Sequence, residues 1–353
     1  EAMKDTVPSF TSKKAFKFTE LQPLLKLSNM TYPVENPEDL NGELTRSYGI
    51  NGLDNVMTSK RSKFPVKMWN EFEYKDWVLE KHGRIFSPSN VQHYSCKIKS
   101  ICDAIEKSSG IVLVYSKYLD SGLLPMALAL EEMGFSRYCY ASHVKSFLKT
   151  PQTPLDALTM KPVTNETKYK AQYAMITGSP DFSPNNELDL KTITGKDNFD
   201  GKMVKVVMIS DAGSEGIDFK NIRQVHVLDP WYNMSRIEQV IGRAVRNKSH
   251  CQLPVEQRNV EIYMHGSYHS KETESGDLYM YRLAEYKAIQ VGKITRMLKE
   301  TAVDCLLNTE QNNFTENNMN TQMKITLSSN KEVDFSIGDK PFSSKCDYME
   351  KCE

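Results

Sequence analysis

From Ser95 onward two kinds of hydrophobic pattern take turns along the chain. Ile98, Ile101, Cys102 and Ile105 recur at i, i+3, i+4 and i+7, the spacing that places apolar side chains on one face of an α-helix. Gly110 to Ser116 (GIVLVYS) is instead an unbroken β-branched run of strand length, apolar on both faces as a buried parallel strand requires. GLLPMALALEEMG predicts a helix stopped at Gly134, because glycine takes the left-handed conformation that ends helices. SRYCYA predicts a weaker strand, YAMITG a short one and NELDLKTIT a helix. KVVMIS (Lys205 to Ser210) and IRQVHVLD (Ile222 to Asp229) are strands again. An amphipathic helix, RIEQVIGRAVRNKSH (Arg236 to His250), and one more strand, VEIYMHG, follow. Strands alternating with helices predict an α/β fold: a parallel sheet flanked by helices on both faces, with right-handed connections.

The flanks are less regular. Residues 1 to about 90 carry Pro8, Pro23, Pro33 and Pro37 and a turn-rich GELTRSYGINGLDN, and predict an irregular N-terminal segment. Within it KMWNEFEYKDWVLEKHG, with Trp69, Phe72 and Trp77, predicts packing and one short helix. Residues 147 to 170, with Pro151, Pro154 and Pro162, predict a surface excursion. After Thr273 the composition turns helical for one or two helices, and from Asn308 an asparagine-rich stretch predicts a mobile polar tail. The expected division is therefore 1–90, 91–272, 273–308 and 309–353.

Composition sets bounds. With 353 residues, 39% of them hydrophobic, the chain can bury a sizeable core and suggests about two domains. Lysine plus arginine equals aspartate plus glutamate, 45 each. That excludes a strongly basic coat but not a local basic groove. No apolar run reaches the ~20 residues of a membrane span, and EAMKDTVPSF is no signal peptide. Seven scattered cysteines with no C-x-x-C pair read as reduced thiols of an intracellular protein. His250, Cys251, His265 and His269 fit no standard zinc spacing, so no metal site is expected.

Two stretches carry candidate chemistry. On the Arg236–His250 helix, Arg236, Gln239, Arg243 and Arg246 form one stripe, while Ile237, Val240, Ile241, Ala244 and Val245 fill most of the rest. By itself this is equally a surface helix with a solvated basic face. Upstream, ISDAGSEGIDF (Ile209 to Phe219) follows a strand directly. Gly213 and Gly216 let the backbone approach a ligand and offer amides to an anion. Ser210 brings a hydroxyl, and Asp218 an acceptor for a sugar hydroxyl. Both stretches follow strands of one sheet, so both should open on its carboxyl edge, where such sheets bind ligands. A phosphate-bearing ligand fits the pair best.

SDAGSEGID resembles motif V of superfamily 2 helicases, with Ser210, Gly216 and Asp218 at matching spacing, and QVIGRAVR resembles motif VI, Gln-x-x-Gly-Arg-x-x-Arg, at Gln239, Gly242, Arg243 and Arg246. VLVYS (Val112 to Ser116) is similar to motif IV, and ITG (Ile176 to Gly178) to the short motif after it. All four stand in the family's order, across what would be its second RecA-like lobe. LSNMTYP, DPWYNMSRIEQVIGRAVRNKSH and LKETAVDCLLN further resemble helicases of large cytoplasmic DNA viruses, relatives of the poxvirus early-transcription-factor ATPase and nucleoside triphosphate phosphohydrolase. DPWYN is also similar to Swi2/Snf2 translocases.

No G-x-x-x-x-G-K-[ST] and no acidic D-E-x-[DH] box occurs; TITGKDN has Leu190 where the first glycine belongs and Asp197 after Lys196. The resemblance therefore implies the C-terminal half of a two-lobe motor, inactive alone, with ATP and Mg2+ held mainly by a first RecA-like lobe of the same polypeptide. It implies Arg246 as arginine finger, Arg243 on the γ-phosphate, Gln239 ordering the attacking water or sensing the phosphate, and Gly242 keeping the helix low beside the nucleotide. Asp218 would take the ribose or a motif VI partner, and Glu215 would pair with Arg243 or Arg246. Gly213 and Gly216 would border the nucleotide. Ser116, Lys117, Thr177, Gly178 and Ser210 match positions that touch nucleic-acid phosphates; for Lys117 a solvated loop lysine is an equal reading. Trp231 and Tyr232 would pack beneath the helix rather than stack on a base. Expected partners are DNA or RNA and an RNA polymerase or transcription factor subunit, with no membrane. The rival readings are a non-catalytic nucleic-acid or protein-binding module on a RecA-like scaffold, and an unrelated flavodoxin-like nucleotide fold.

Overall fold

The computed structural model describes residues 18–36, 44–61, 69–140, 146–211, 216–268, 274–303, 321–336, 340–344 and 346–350. The runs that are apolar on both faces form the central sheet: β3 (Ile111–Tyr115), β5 (Gln172–Ile176), β6 (Val206–Ile209) and β7 (Ile222–Val227). The short β4 (Ser136–Arg137) lies at one edge and β8 (Glu261–Met264) at the other. The order is β4-β5-β6-β3-β7-β8, and every neighbouring pair is parallel. This is the parallel α/β sheet expected from the pattern.

Because successive strand residues point to opposite faces, each strand feeds two cores. Val112, Val114, Tyr173, Met175, Val206 and Met208 face one core. There α4 (Cys96–Glu106) and α5 (Leu124–Met133) cover them. Leu113, Tyr115, Val207, Ile209, Val225 and Val227 face the other, covered by Ile193 of α6 (Asn186–Ile193) and by Ile237, Val240 and Ala244 of α7 (Met234–Ala244). Local signals set the helix ends. The Ser95 hydroxyl caps α4 by accepting from the Ile98 amide. Gly134 ends α5 with φ +107°, where a Cβ would sit 2.3 Å from the Thr153 carbonyl oxygen.

The flanks hold more structure than their pattern predicts. Before residue 90 the chain forms α1 (Phe18–Asn29), α2 (Gly49–Val56), an antiparallel hairpin of β1 (Met57–Arg61) and β2 (Trp69–Tyr74), and α3 (Asp76–His82). Only α3 was legible there. α8 (Gly276–Glu300) is one helix of 25 residues, started by the Ser275 cap. In the predicted tail, β9 (Gln322–Thr326) and β10 (Glu332–Ser336) form a second hairpin. Its turn seats Ser328, fully buried, at the amino edge of the sheet, where the Ser328 carbonyl accepts from the Ser109 amide (2.7 Å) and Gln224 Nε2 donates to its hydroxyl (2.6 Å). The asparagine-rich stretch itself lies outside the described residues. Cys96, Cys102, Cys139 and Cys251 are free, but Cys346 is disulfide-bonded, which corrects the reading of every cysteine as reduced. No helix among the described residues is long and apolar enough to cross a membrane.

Candidate functional site

A parallel sheet delivers the residues after each strand to one edge, and most of the singled-out residues lie there. Ser116 and Lys117 follow β3, Thr177 and Gly178 follow β5, Ser210 and Asp211 follow β6, and Asp229 follows β7. Above this edge α7 presents its polar face. A cleft of ≈ 370 Å³ opens between α7 and the strand ends, lined by Asp211, Trp231, Arg236, Gln239 and Arg243 among others. That volume is within the few hundred Å³ typical of small-ligand pockets.

The stripe expected on one long helix is divided. α7 ends at Ala244, and Val245 leaves helical geometry (φ −104°, ψ 85°). Arg236, Gln239 and Arg243 remain on the helix and line the cleft. Arg246 sits beyond its end, half-exposed, paired with Asp218 (Nη1 to Oδ1, 2.8 Å) and donating from Nε to the Gly242 carbonyl (3.2 Å). Asp218 is thus paired, in this structure, with a residue of the stretch that resembles motif VI. Arg236 pairs with Asp211 (2.5 Å and 3.1 Å) and lies over Trp231 at 4.6 Å. Asp211 also accepts from the Tyr115 hydroxyl. Arg243 has no carboxylate within ion-pair reach among the described residues. At Gly242 an added Cβ would meet nothing within 4 Å, so the helix surface is open there. Gly216 is exposed with φ +74° and open space around it, so a side chain there would be strained though not crowded. Gly213 and Glu215 lie outside the described residues.

The expected nucleic-acid contacts separate into two groups. Gly178 is exposed. Ser116, Thr177 and Ser210 are buried. The Ser116 hydroxyl is committed to Asp229, and that of Thr177 to Ser183 (2.7 Å) and the Ser179 carbonyl (3.1 Å). The Ser116 and Thr177 side chains thus hold the loops in this structure. Lys117 is half-buried, with no ion-pair partner among the described residues. Its Nζ stands 3.9 Å from the Trp231 ring centre and 4.3 Å from that of Phe18, and desolvation depresses its pKa. Trp231 packs on the core beneath α7, as expected, while Tyr232 packs elsewhere, between α1 and α8, and both also line the cleft. Trp231 meets Phe18 edge-on at 4.9 Å, and Tyr232 joins the small core of Leu21, Leu25 and Met280.

The residue that sequence reasoning missed is Asp229. It is wholly buried and receives Asn29 Nδ2 (3.0 Å), the Ser116 hydroxyl and the Lys117 amide (2.8 Å). Desolvation raises its carboxyl pKa, against those hydrogen bonds. Lys97, also buried, ties Asn29 Oδ1 (2.7 Å), the Leu228 carbonyl (3.3 Å) and Asp277 (2.7 Å) to the same point. Asn29 comes from LSNMTYP and Asp229 from DPWYN, so two stretches quoted for the resemblance meet across this edge. A helix signature in one and a turn in the other give no sign of that contact. The expected absence of a metal site rests on spacing: His250 donates to the Ile222 carbonyl (2.6 Å), His265 bonds to His226 (2.9 Å), and His269 lies outside the described residues. Among the described residues no three His, Cys, Asp or Glu are grouped to hold an ion.

Residues 166–248 match the helicase conserved C-terminal domain. The match spans β5, α6, β6, β7 and α7, and so contains the whole helical wall of the cleft. A protein of Invertebrate iridescent virus 3 named as a helicase is 29% identical over 64% of this chain and 22% of its own length. The termination factor NPH-I homolog of African swine fever virus is 26% identical over 62% of this chain and 34% of its own. Nucleoside triphosphatase I of Choristoneura biennis entomopoxvirus is 35% identical over 34% of this chain and 18% of its own. The C-terminal part of the Fun30 ATPase domain, a solved structure, is similar over 61% of this chain and 56% of that one at 12% identity. Its TM-score of 0.29 is too low to bear on fold or function. The chain spans well under half the length of these viral relatives.

Proposed function

We propose that this chain is the second lobe of an ATP-dependent nucleic-acid helicase or translocase, acting in viral transcription. The observation that carries the reading is the cleft at the carboxyl edge, where Gln239 and Arg243 of α7 converge in the segment matching the helicase C-terminal domain. One relative is named as a termination factor homolog and another as a nucleoside triphosphatase. The cleft fits an anionic ligand, since Arg243 lines it without a carboxylate partner among the described residues. Bound ATP supplies the transferable phosphoryl group; magnesium and most phosphate contacts belong to the other lobe.

In this reading Arg243 binds γ-phosphate oxygens through its planar fork, and Gln239 orders the attacking water. Arg246 is the finger. It must exchange Asp218 for phosphate, and an exposed ion pair worth at most about 1 kcal/mol does not prevent that. An arginine finger contributes about 10³–10⁵ in rate, equivalent to roughly 4–7 kcal/mol of barrier. Lysine cannot supply the same bidentate contact. The test is ATP hydrolysis by the intact protein, with and without single- and double-stranded nucleic acid. Arg243→Ala and Arg246→Lys should each lower turnover by about 10³ or more without lowering the melting temperature. Near-normal turnover in Arg246→Lys removes the finger assignment. Absence of any nucleic-acid-dependent hydrolysis by the wild type removes the motor reading.

A further inference from the structure

Two aromatic residues that line the cleft, Trp231 and Tyr232, hold cations that no motif accounts for. Phe18 of α1 and Trp231 and Tyr232 ahead of α7 form an aromatic triad, with ring centres 4.7 to 5.5 Å apart. Three cations from three elements sit on it: Lys117 after β3, Arg236 of α7, and Lys287 of α8, whose Nζ is 4.6 Å from the Tyr232 ring centre. Ring faces attract a cation through their quadrupole but do not neutralise its charge. A carboxylate would do both. Asp211 is committed to Arg236, and neither Lys117 nor Lys287 has a carboxylate within ion-pair reach among the described residues. Both lysines are half-buried and partly stripped of water, which depresses the pKa of each. Tyr232 and Arg236 line the same cleft as Arg243. Lys117 and Lys287 therefore carry positive charge beside the cleft that is held in place, partly dehydrated and without an ion-pair partner among the described residues. Asp211 and Asp229 act on Lys117 from a distance, which leaves Lys287 the less compensated of the two, and phosphate oxygens would complete it.

We propose that Lys287 is a phosphate-binding residue of this cleft, so that α8 is part of the ligand site rather than an appendage to it. The proposal rests on the reading of the cleft as the anion site of a motor lobe, and adds a contact from outside the matched domain. The phosphate can belong to a nucleic-acid backbone or to the nucleotide. The experiment uses the intact protein and two variants. Lys287→Met keeps the alkyl stem on Tyr232 and removes the charge; Lys287→Arg keeps the charge. Equilibrium binding of a single-stranded oligothymidylate is measured across a salt series, and ATP KM beside it.

If the phosphate is nucleic acid, Lys287→Met lowers the slope of log K against log salt by about 0.7, the value for one lost single-strand contact, with ATP KM unchanged. If it is nucleotide, KM rises several-fold and the slope stays. Either result, restored in Lys287→Arg, supports the site and names its source. A Met variant that matches wild type in both, while Arg243→Ala still abolishes hydrolysis, overturns the proposal and leaves the motor reading intact. A wild type that binds neither ATP nor oligonucleotide overturns both. Equal melting temperatures separate charge loss from misfolding.

Discussion

Gly242 shows how a single residue can carry opposite consequences for stability and function. It lies inside α7, where glycine costs about 0.5–1 kcal/mol relative to alanine, and nothing surrounds the position that a methyl group would occupy. Packing gives no reason for it. Gly242→Ala should therefore stabilise the protein by about 0.5–1 kcal/mol in urea unfolding. If the open surface serves the approach of a ligand or another lobe, the same change should lower nucleic-acid-dependent ATP hydrolysis by the intact protein. A variant both more stable and fully active would falsify that use of the space. Arg246 shows the limit of periodicity at this scale. Its i+3 spacing from Arg243 reads as one face, but the chain leaves the helix after Ala244 and turns through Lys248 at φ +63°. No glycine or proline marks the stop, and the weaker signals present, Arg243 in the last turn and Asn247 three residues past the end, do not fix where it falls.

Elements were legible where burial is two-sided. The strands of the sheet and the helices α4 and α5 follow from runs and spacings, because a fully covered sheet admits few polar residues. What holds α1 and α8 onto that sheet was not legible. Its partners are far apart in sequence, as with Asn29 and Asp229, and are polar in a setting where polar residues ordinarily signify surface. Lys97 is the centre of this joint. It links α4 to α1 through Asn29, to the end of β7 through the Leu228 carbonyl, and to the first turn of α8 through Asp277. Lys97→Met leaves Asp277 charged and buried, with only the Ser267 amide donating to it (2.8 Å) among the described hydrogen bonds. The expected loss is about 3–5 kcal/mol, the usual consequence of breaking a buried pair from one side. Adding Asp277→Leu should recover much of it, since both charges are then gone. Chemical denaturation of the two variants decides the matter: a double variant no more stable than Lys97→Met would mean that the joint depends on its hydrogen bonds and not on charge balance.

Across the whole molecule one of the polar contacts between the predicted tail and the predicted core runs on as a chain through the sheet, and this chain sets a pH response. The hairpin residue Ser328 donates to Glu261 and accepts from Gln224. Gln224 Oε1 faces His226 Nε2 (3.2 Å), which must then be the protonated nitrogen, because a carbonyl oxygen only accepts. His226 Nδ1 is left to accept from His265 Nε2 (2.9 Å). Both imidazoles are neutral in this arrangement, and a proton added to His226 would set N–H against N–H. Burial, then mutual repulsion, pushes His226 down to about 3; burial, then Lys97, pushes His265 down to about 4. Both folded values lie below the unfolded value near 6.5. The stability they contribute is therefore complete above pH 6.5 and is lost as pH falls towards 4, at up to about 1.4 kcal/mol per pH unit for each imidazole. The buried carboxyls of Glu131 and Asp229 run the other way, since desolvation raises both, so the net slope is the smaller sum. The comparison that isolates the histidines is His265→Gln against wild type. Unfolding free energies measured from pH 7 to pH 4 should converge as pH falls, the wild type losing the steeper share. Parallel curves would mean that His265 takes up its proton at the same pH folded and unfolded, and that the chain from Ser328 to His265 does not have the polarity its hydrogen bonds imply.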